Sequence, residues 1–303
     1  MSANKAEAVK DSGKKRILGL KAKTNIGNGI IYFILTIMSV IWLIPFVCIV
    51  LESFRVENTG QVGYLFPQQW GLANYKALFV EDVDKTVQFM KWYKNTFIIA
   101  AFSSVIHTFV VLCTSYTLSR MRFKARKPLM NIMLILGMFP GFITMIVLYT
   151  VLSKLGFTGA GSVPGLILVY TASAAMGYYV SKGFFDTVPR SLDEAARVDG
   201  ATRAQVLFRI TLPMAKPIVI YQILTAFMAP WGDFIFAKYI AHGSSEGMTV
   251  AVGMQNLITK SNNSAHYTHF CAAGVVVAIP ITILFMFLQK YYVEGVTGGA
   301  VKG

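Results

Sequence analysis

Apolar runs of about twenty residues recur six times along this chain, and that is the length a helix needs to cross the hydrocarbon of a bilayer. They fall at about residues 30–51, 95–119, 129–152, 163–184, 217–241 and 270–288. Backbone in lipid has no water to bond, so each run must satisfy its own hydrogen bonds as a helix. The 303-residue chain is 55% hydrophobic and only 14% charged, whereas soluble domains carry about a quarter charged residues. The expected fold is all-α, integral to the membrane, with six spans. Pro45, Pro140-Gly141 and Pro230 lie inside these runs and predict local kinks.

A formal net charge of +14 would suit a nucleic-acid binder, but the charges are distributed as a membrane topology distributes them. Seven Lys/Arg precede the first run (Lys5, Lys10, Lys14, Lys15, Arg16, Lys21, Lys23) and five lie between Arg120 and Lys127. Six more lie in or beside the 186–216 stretch (Lys182, Arg190, Arg197, Arg203, Arg209, Lys216), and Lys290 and Lys302 follow the last run. Those are twenty of the 28, all on one side of a six-span chain. Both termini and the 186–216 loop are therefore expected in the cytoplasm of a multi-pass cell-membrane protein. The charge then serves topology and attraction to anionic lipid, and no nucleic-acid partner is expected. Residues 1–25 read as a mobile, uncleaved tail. Cys48, Cys113 and Cys271 fall in apolar runs without metal-ligand spacing and read as small buried hydrophobes.

The 186–216 stretch is a polar island between two spans. Ser191 and Glu194 fit a capping box, S-x-x-E, which would start a helix. Gly200 would end it, since glycine tolerates the positive φ found just past a helix C-terminus. Thr202 with Gln205 repeats the capping device, and Pro213 and Pro217 punctuate the return to the membrane. The expectation is a short helix, a glycine turn and a second short helix. Such a shape suits insertion into a partner, and an ordinary ordered loop is the plainer alternative.

Glu194-Ala195-Ala196, then Gly200, then Ile210-Thr211-Leu212-Pro213 resembles the EAA loop of ABC importer permeases, with every fixed position at that family's spacing. Phe66-Pro67 and Gly71-Leu72-Ala73-Asn74-Tyr75 look like the external segment of sugar permeases. Residues 248–255, Met-Thr-Val-Ala-Val-Gly-Met-Gln, and the ending 295–303, Gly-Val-Thr-Gly-Gly-Ala-Val-Lys-Gly, are similar to MalG-type subunits. The resemblance implies a six-helix type I ABC importer transmembrane subunit for sugars, maltose or maltodextrin foremost, with other oligosaccharides open. It divides the chain into a cytoplasmic tail (1–25), a first span with an external segment (26–94), a permease core (95–290) and a cytoplasmic end (291–303). It implies as partners a second, MalF-like permease, two cytoplasmic ATPase subunits and an external solute-binding protein that delivers the sugar. Glu194, Ala195, Ala196, Asp199, Gly200, Ala201, Leu212 and Pro213 would dock into the ATPase. Gly298, Gly299, Val301, Lys302 and Gly303 would reach the ATPase interface.

Nothing in the sequence fits the P-loop G-x-x-x-x-G-K-[ST], nor H-E-x-x-H or G-x-S-x-G, so no ATPase or common hydrolase chemistry is expected of the chain itself. No cofactor or metal is implied. Asp233 is the most unusual residue within a span, because an ionisable group there is expensive. It is a candidate for the translocation path, together with Trp231, Phe139 and Pro140. The plainer reading pairs it with Lys238 or a neighbouring helix. His107 reads first as a hydrogen-bonded helix residue. Tyr149, Tyr170 and Trp231 offer faces on which a sugar could stack, although packing explains them equally. An ion-coupled secondary transporter is the rival class, but it would need internal repeats and paired charges within the spans, and neither is evident.

Overall fold

The computed structural model describes residues 3–57, 63–80, 88–172, 175–259 and 264–300, with backbone alone at 3–26, 175–176, 264–265 and 291–300. Among these residues the regular structure is helical, apart from one isolated antiparallel bridge between Arg55 and Trp70. In chain order the helices are α1 (Ala3–Ser53), α2 (Ala73–Phe79), α3 (Phe89–Arg120), α4 (Arg126–Gly137), α5 (Gly141–Lys154), α6 (Ser162–Ala172), α7 (Ala175–Thr187) and α8 (Arg190–Val198). They continue as α9 (Arg203–Val206), α10 (Leu212–Met214), α11 (Lys216–Gly232), α12 (Ile235–Ala241), α13 (Val250–Thr259) and α14 (Ser264–Ala300). A 3₁₀ turn, Gly159–Gly161, precedes α6, and a π-helical turn, Leu207–Thr211, joins α9 to α10.

Among the described residues, Gly27–Ser53, Phe89–Arg120 and His266–Lys290 are each long and apolar enough to cross a membrane alone. Three bent pairs bring the spans to as many as six: α4 with α5, α6 with α7, and Arg203–Met214 with α11. The expected third run is therefore two helices that meet at 100°. Pro140 caps α5 with an extended ψ of 126°, and its ring leaves no N–H to carry α4 onward. The fifth run, expected to reach residue 241, stops at Gly232, where Asp233 turns to ψ 104° before α12 begins. The tail expected to be mobile has a helical backbone from Ala3 into the first span.

The centre of the bundle is α3. Its buried residues recur at one helical face: Thr96, Ile99 and Ala100, Ser103 and Ser104, His107 and Thr108, Val111 and Leu112, Ser115 and Tyr116. That face is mostly small and hydroxylated, which lets α6, α7 and α11 approach closely. The opposite face exposes Phe97, Phe102, Val105 and Phe109, the inverse of a water-soluble helix. The hydroxyls bond back into their own helix, as Thr117 Oγ1 does to the Cys113 carbonyl, or across to a neighbour, as Ser115 Oγ does to the Tyr178 carbonyl at 3.1 Å. Three apolar clusters stack along α3. They centre on Phe89, Trp92 and Trp231, on Ile99, Leu166 and Ile240, and on Leu112, Tyr116 and Phe185.

At the Phe89 end of α3, the segment after α1 folds around one buried cation. Arg55, 2% exposed, pairs with Glu52 (Nε–Oε2 2.8 Å) and Glu57 (Nη1–Oε1 2.9 Å) and donates to the carbonyls of Tyr64 and Leu65. Asn74 ties this knot to α14, donating to the carbonyls of Ser53 and Arg55 and accepting from Thr268 Oγ1 at 2.9 Å. Burial alone would raise the Glu57 carboxyl, but the amides of Gln68 and Gln69, its own amide and the Arg55 guanidinium hold it down at about 2. A depressed carboxyl stabilises the fold fully above its free value of 4.5 and loses that contribution as pH falls toward 2. Hydrogen exchange across residues 64–72, corrected for intrinsic rate, should keep its protection at pH 5 and lose it near pH 2. Glu57→Ala should show the unprotected pattern already at neutral pH.

Candidate functional site

The 186–216 island sits at the Arg120 end of α3. Helix α8 begins directly after Pro189, whose φ of −57° and ψ of 128° set the entry, and no side chain caps it. The capping box expected from Ser191 and Glu194 is absent, because both residues lie inside the helix and are exposed. What fixes the entry is a set of contacts to α3. Arg120 Nη2 donates to the Val188 carbonyl at 2.8 Å, and Arg190 Nη2 reaches the Ser119 carbonyl at 3.4 Å. Arg120 Nε pairs with Asp193 Oδ2 at 2.9 Å, with side chains only 6% and 12% exposed. Thr211 Oγ1 adds a longer contact to Asp193 Oδ1 at 3.4 Å. Neither Arg120 nor Asp193 stood out in sequence. The available signal was an acidic residue in the first turn of α8 and a basic residue that ends the second span.

The other end of α8 follows the sequence closely. Gly200 takes a φ of +86°, and its amide donates to the Arg197 carbonyl at 3.1 Å. The Ala201 amide donates to the Ala196 carbonyl at 2.9 Å, completing a Schellman turn that satisfies the last carbonyls of the helix. Thr202 then caps α9 in a full box, its amide donating to Gln205 Oε1 at 2.7 Å and its Oγ1 accepting from the Gln205 amide at 3.3 Å. The π turn carries Ile210, Pro213 sits in α10, and at Ala215 the chain turns through 86° into α11.

Helical geometry then divides the residues of α8. Asp193 points into the protein and Ala196 is half-buried. Ser191, Ala195 and Val198 form the middle of the opposite face, flanked by Glu194 on one side and Asp199 and Leu192 on the other, all exposed. Val198 is 88% exposed at the head of the glycine turn. The face is small in the middle and charged at its edges, which permits close approach by a partner surface. Leu212 is half-buried against the cluster around Tyr116 and Phe185, and Pro213 is exposed.

The four residues expected along the translocation path fall at two helix breaks, α4–α5 and α11–α12. Trp231 is 4% exposed and packs edge-on to Tyr93 at 5.3 Å and against Phe227 at 6.0 Å. Asp233 sits in the α11–α12 break, where its Oδ2 accepts from Tyr170 Oη at 2.6 Å and its Oδ1 from the Phe236 amide at 3.0 Å. It thus satisfies an amide in the first turn of α12 and ties the break to α6, while Lys238 Nζ lies over the Phe234 ring at 5.0 Å. His107 Nδ1 lies 3.1 Å from the Tyr170 carbonyl, and Tyr149 packs against Tyr239 and His242. Phe139 and Pro140 stand at the α4–α5 break, with Phe139 55% exposed. Gly298 and Gly299 lie on the helical backbone of α14, and Val301, Lys302 and Gly303 fall outside the described residues. Among the described residues, no group of three or more His, Cys, Asp or Glu could hold a metal ion.

Residues 110–298 match the family model described as "binding-protein-dependent transport system inner membrane component". The maltodextrin transport permease MdxG of Bacillus subtilis is 36% identical over 273 residues, covering 90% of this chain and 95% of that one. The maltodextrin permease MalD of Streptococcus pneumoniae is 33% identical, covering 94% and 99%. The maltose/maltodextrin permease MalG of Escherichia coli is 31% identical, covering 86% and 91%. Among solved structures, a chain of a bacterial ABC transporter that imports the acidic polysaccharide alginate superposes with a TM-score of 0.74 at 23% identity, covering 88% of this chain and 97% of that one.

Proposed function

Because this chain belongs to the family of binding-protein-dependent transport system inner membrane components, we propose that it is the MalG-type permease of an ATP-driven importer that takes up maltodextrins or related oligosaccharides. The observation that carries this reading is the 190–214 element. It is a capped helix–turn–helix anchored to the bundle by Asp193, with a small-centred face turned outward. That face is where two cytoplasmic ATPase subunits, closing on ATP, would act. Glu194, Ala195, Ala196, Asp199, Gly200 and Ala201 form the docking surface, and Leu212 and Pro213 hold its second helix. Both termini lie in the cytoplasm, and the tail residues Gly298, Gly299, Val301, Lys302 and Gly303 reach the ATPase interface. A second, MalF-like permease and lipid cover the exposed apolar faces of α1, α4 and α5. A solute-binding protein delivers the sugar to the opposite end, and Asp233 borders the path at the α11–α12 break. The chain itself supplies conformational change and no hydrolytic chemistry.

The test is to assemble the chain with its partner permease and ATPase in vesicles and measure ATP hydrolysis with and without maltodextrin-loaded binding protein. Gly200→Pro is the control. Proline fixes φ near −65° and removes the amide that closes the turn, so neither the +86° conformation nor the Arg197 hydrogen bond survives. We expect stimulated hydrolysis in the wild type, and loss of both assembly and stimulation in Gly200→Pro. Solute movement driven by an ion gradient, with no ATPase bound, would overturn the reading.

A further inference from the structure

Helix α3 differs from every other span in one respect. Its 32 residues contain neither proline nor glycine. Pro45 interrupts the first span and Pro280 the last; Pro140 breaks the α4–α5 pair; Pro164 and Gly177 lie in α6 and α7; and α11 carries Pro230 and ends at Gly232. Proline and glycine are where helices bend, so α3 is the stiffest path between the two ends of the protein. At 1.5 Å per residue it is about 48 Å long, more than the thickness of a bilayer with its headgroups.

Both ends of this rod are fastened to short elements. At one end, Arg120 holds the start of α8 through the Asp193 pair and the Val188 carbonyl, and Ser119 Oγ holds the end of α7 through a 2.6 Å bond to Asp186 Oδ1. At the other end, Lys91 pairs with Glu246, and Asn95 Nδ2 donates to the carbonyls of Glu246 (2.8 Å) and Met248 (3.0 Å). The Val250 amide, which opens α13, donates to Thr96 Oγ1 at 2.8 Å, and the Trp92 ring lies flush on Gly253. Thr96 is fully buried, so this fastening is shielded from water.

We propose that α3 is the strut through which α8 and the 246–253 segment sense each other across the membrane, with Thr96 and Asn95 as its positioning residues at the end remote from α8. The inference rests on the permease reading, in which α8 meets the ATPase and the 246–253 segment lies on the side of the binding protein. A strut pinned at both ends transmits displacement in either direction, and coupling between two sites is reciprocal. Its function then depends on two properties that can be removed separately, the fastening and the stiffness.

Each property has a matched pair of variants. Thr96→Val keeps the shape but removes the acceptor for the Val250 amide, whereas Thr96→Ser keeps the hydroxyl. Phe102 and Val105, 58% and 69% exposed, make room for the second pair. Phe102→Gly with Val105→Gly softens the rod, and Phe102→Ala with Val105→Ala removes the same side chains without softening it. The readout is the ratio of ATP hydrolysis with maltodextrin-loaded binding protein to basal hydrolysis, in vesicles holding the complete transporter. We expect Thr96→Val and the glycine pair to lower that ratio about fivefold or more, with basal rates unchanged, while Thr96→Ser and the alanine pair keep it. Where Thr96→Val fails to assemble, the glycine–alanine comparison decides alone. Equal ratios in the glycine and alanine pairs overturn the strut and leave the permease reading standing. A wild type that the loaded binding protein does not stimulate overturns both.

Discussion

Arg120→Met is expected to destabilise the protein by about 3–5 kcal/mol, the cost of stranding one member of a buried ion pair. Methionine fills much of the same volume, so the loss is chiefly electrostatic. Asp193 is left in a site 12% exposed without its cationic partner, and among the described residues the 3.4 Å contact to Thr211 is what remains to its carboxylate. The Val188 carbonyl also loses its donor. The measurement is the thermal midpoint of the purified protein in detergent, together with ATPase capture by the assembled permease. Adding Asp193→Leu to Arg120→Met should recover most of the midpoint, because an apolar pair in place of a buried ion pair is often neutral or better. It should not recover capture to the same degree, since α8 would then be held by packing without a fixed register. If Arg120→Met alone leaves the midpoint unchanged, the pair is not the anchor of α8.

Gly253→Ala should be a strongly damaging methyl addition where α13 packs on α3. Its Cβ would lie 2.1 Å from Trp92 Cε3 and 2.2 Å from Cδ2, well inside contact distance. The indole cannot retreat, because Trp92 is 3% exposed and wedged among Phe89, Val250 and Ala272. Overpacking a tight core costs about 1–3 kcal/mol, and the upper end is expected where a ring must move. Gly183→Ala is the matched control, because nothing lies within 4 Å of the added methyl. Trp92→Leu should rescue Gly253→Ala if the clash is the cause. Melting curves of the four proteins give the answer, and a silent Gly253→Ala would mean that α13 and α3 are not in this register.

The spans were legible because hydropathy and length set them together, and the Schellman turn because Gly200 has one conformational use at that spacing. Thr202 and Gln205 gave their capping box because both partners are local in sequence. Ser191 and Glu194 have the same spacing and yet form none, because Pro189 starts the helix two residues earlier. A pattern of four residues does not reveal which residue the chain enters on. Asp193 was hidden for a related reason. Its partner Arg120 is 73 positions away, and only the packing of α8 on α3 brings the charges together. The Asp233–Tyr170 bond is likewise non-local, so the sequence could mark Asp233 as costly without showing how the cost is met.

The 86° bend at Ala215 turns the loop into a crank. Its arm, residues 203–214, is about 18 Å long and lies nearly square to α11. A sideways push at the glycine turn therefore reaches α11 as torque about its own axis. Turning about that axis moves no residue along it, so the polar groups of α11 keep their height on the helix as it swivels. A push directed along the arm has no such leverage and can only shove the whole helix sideways. The angle at which a partner strikes the loop thus decides whether α11 turns or slides.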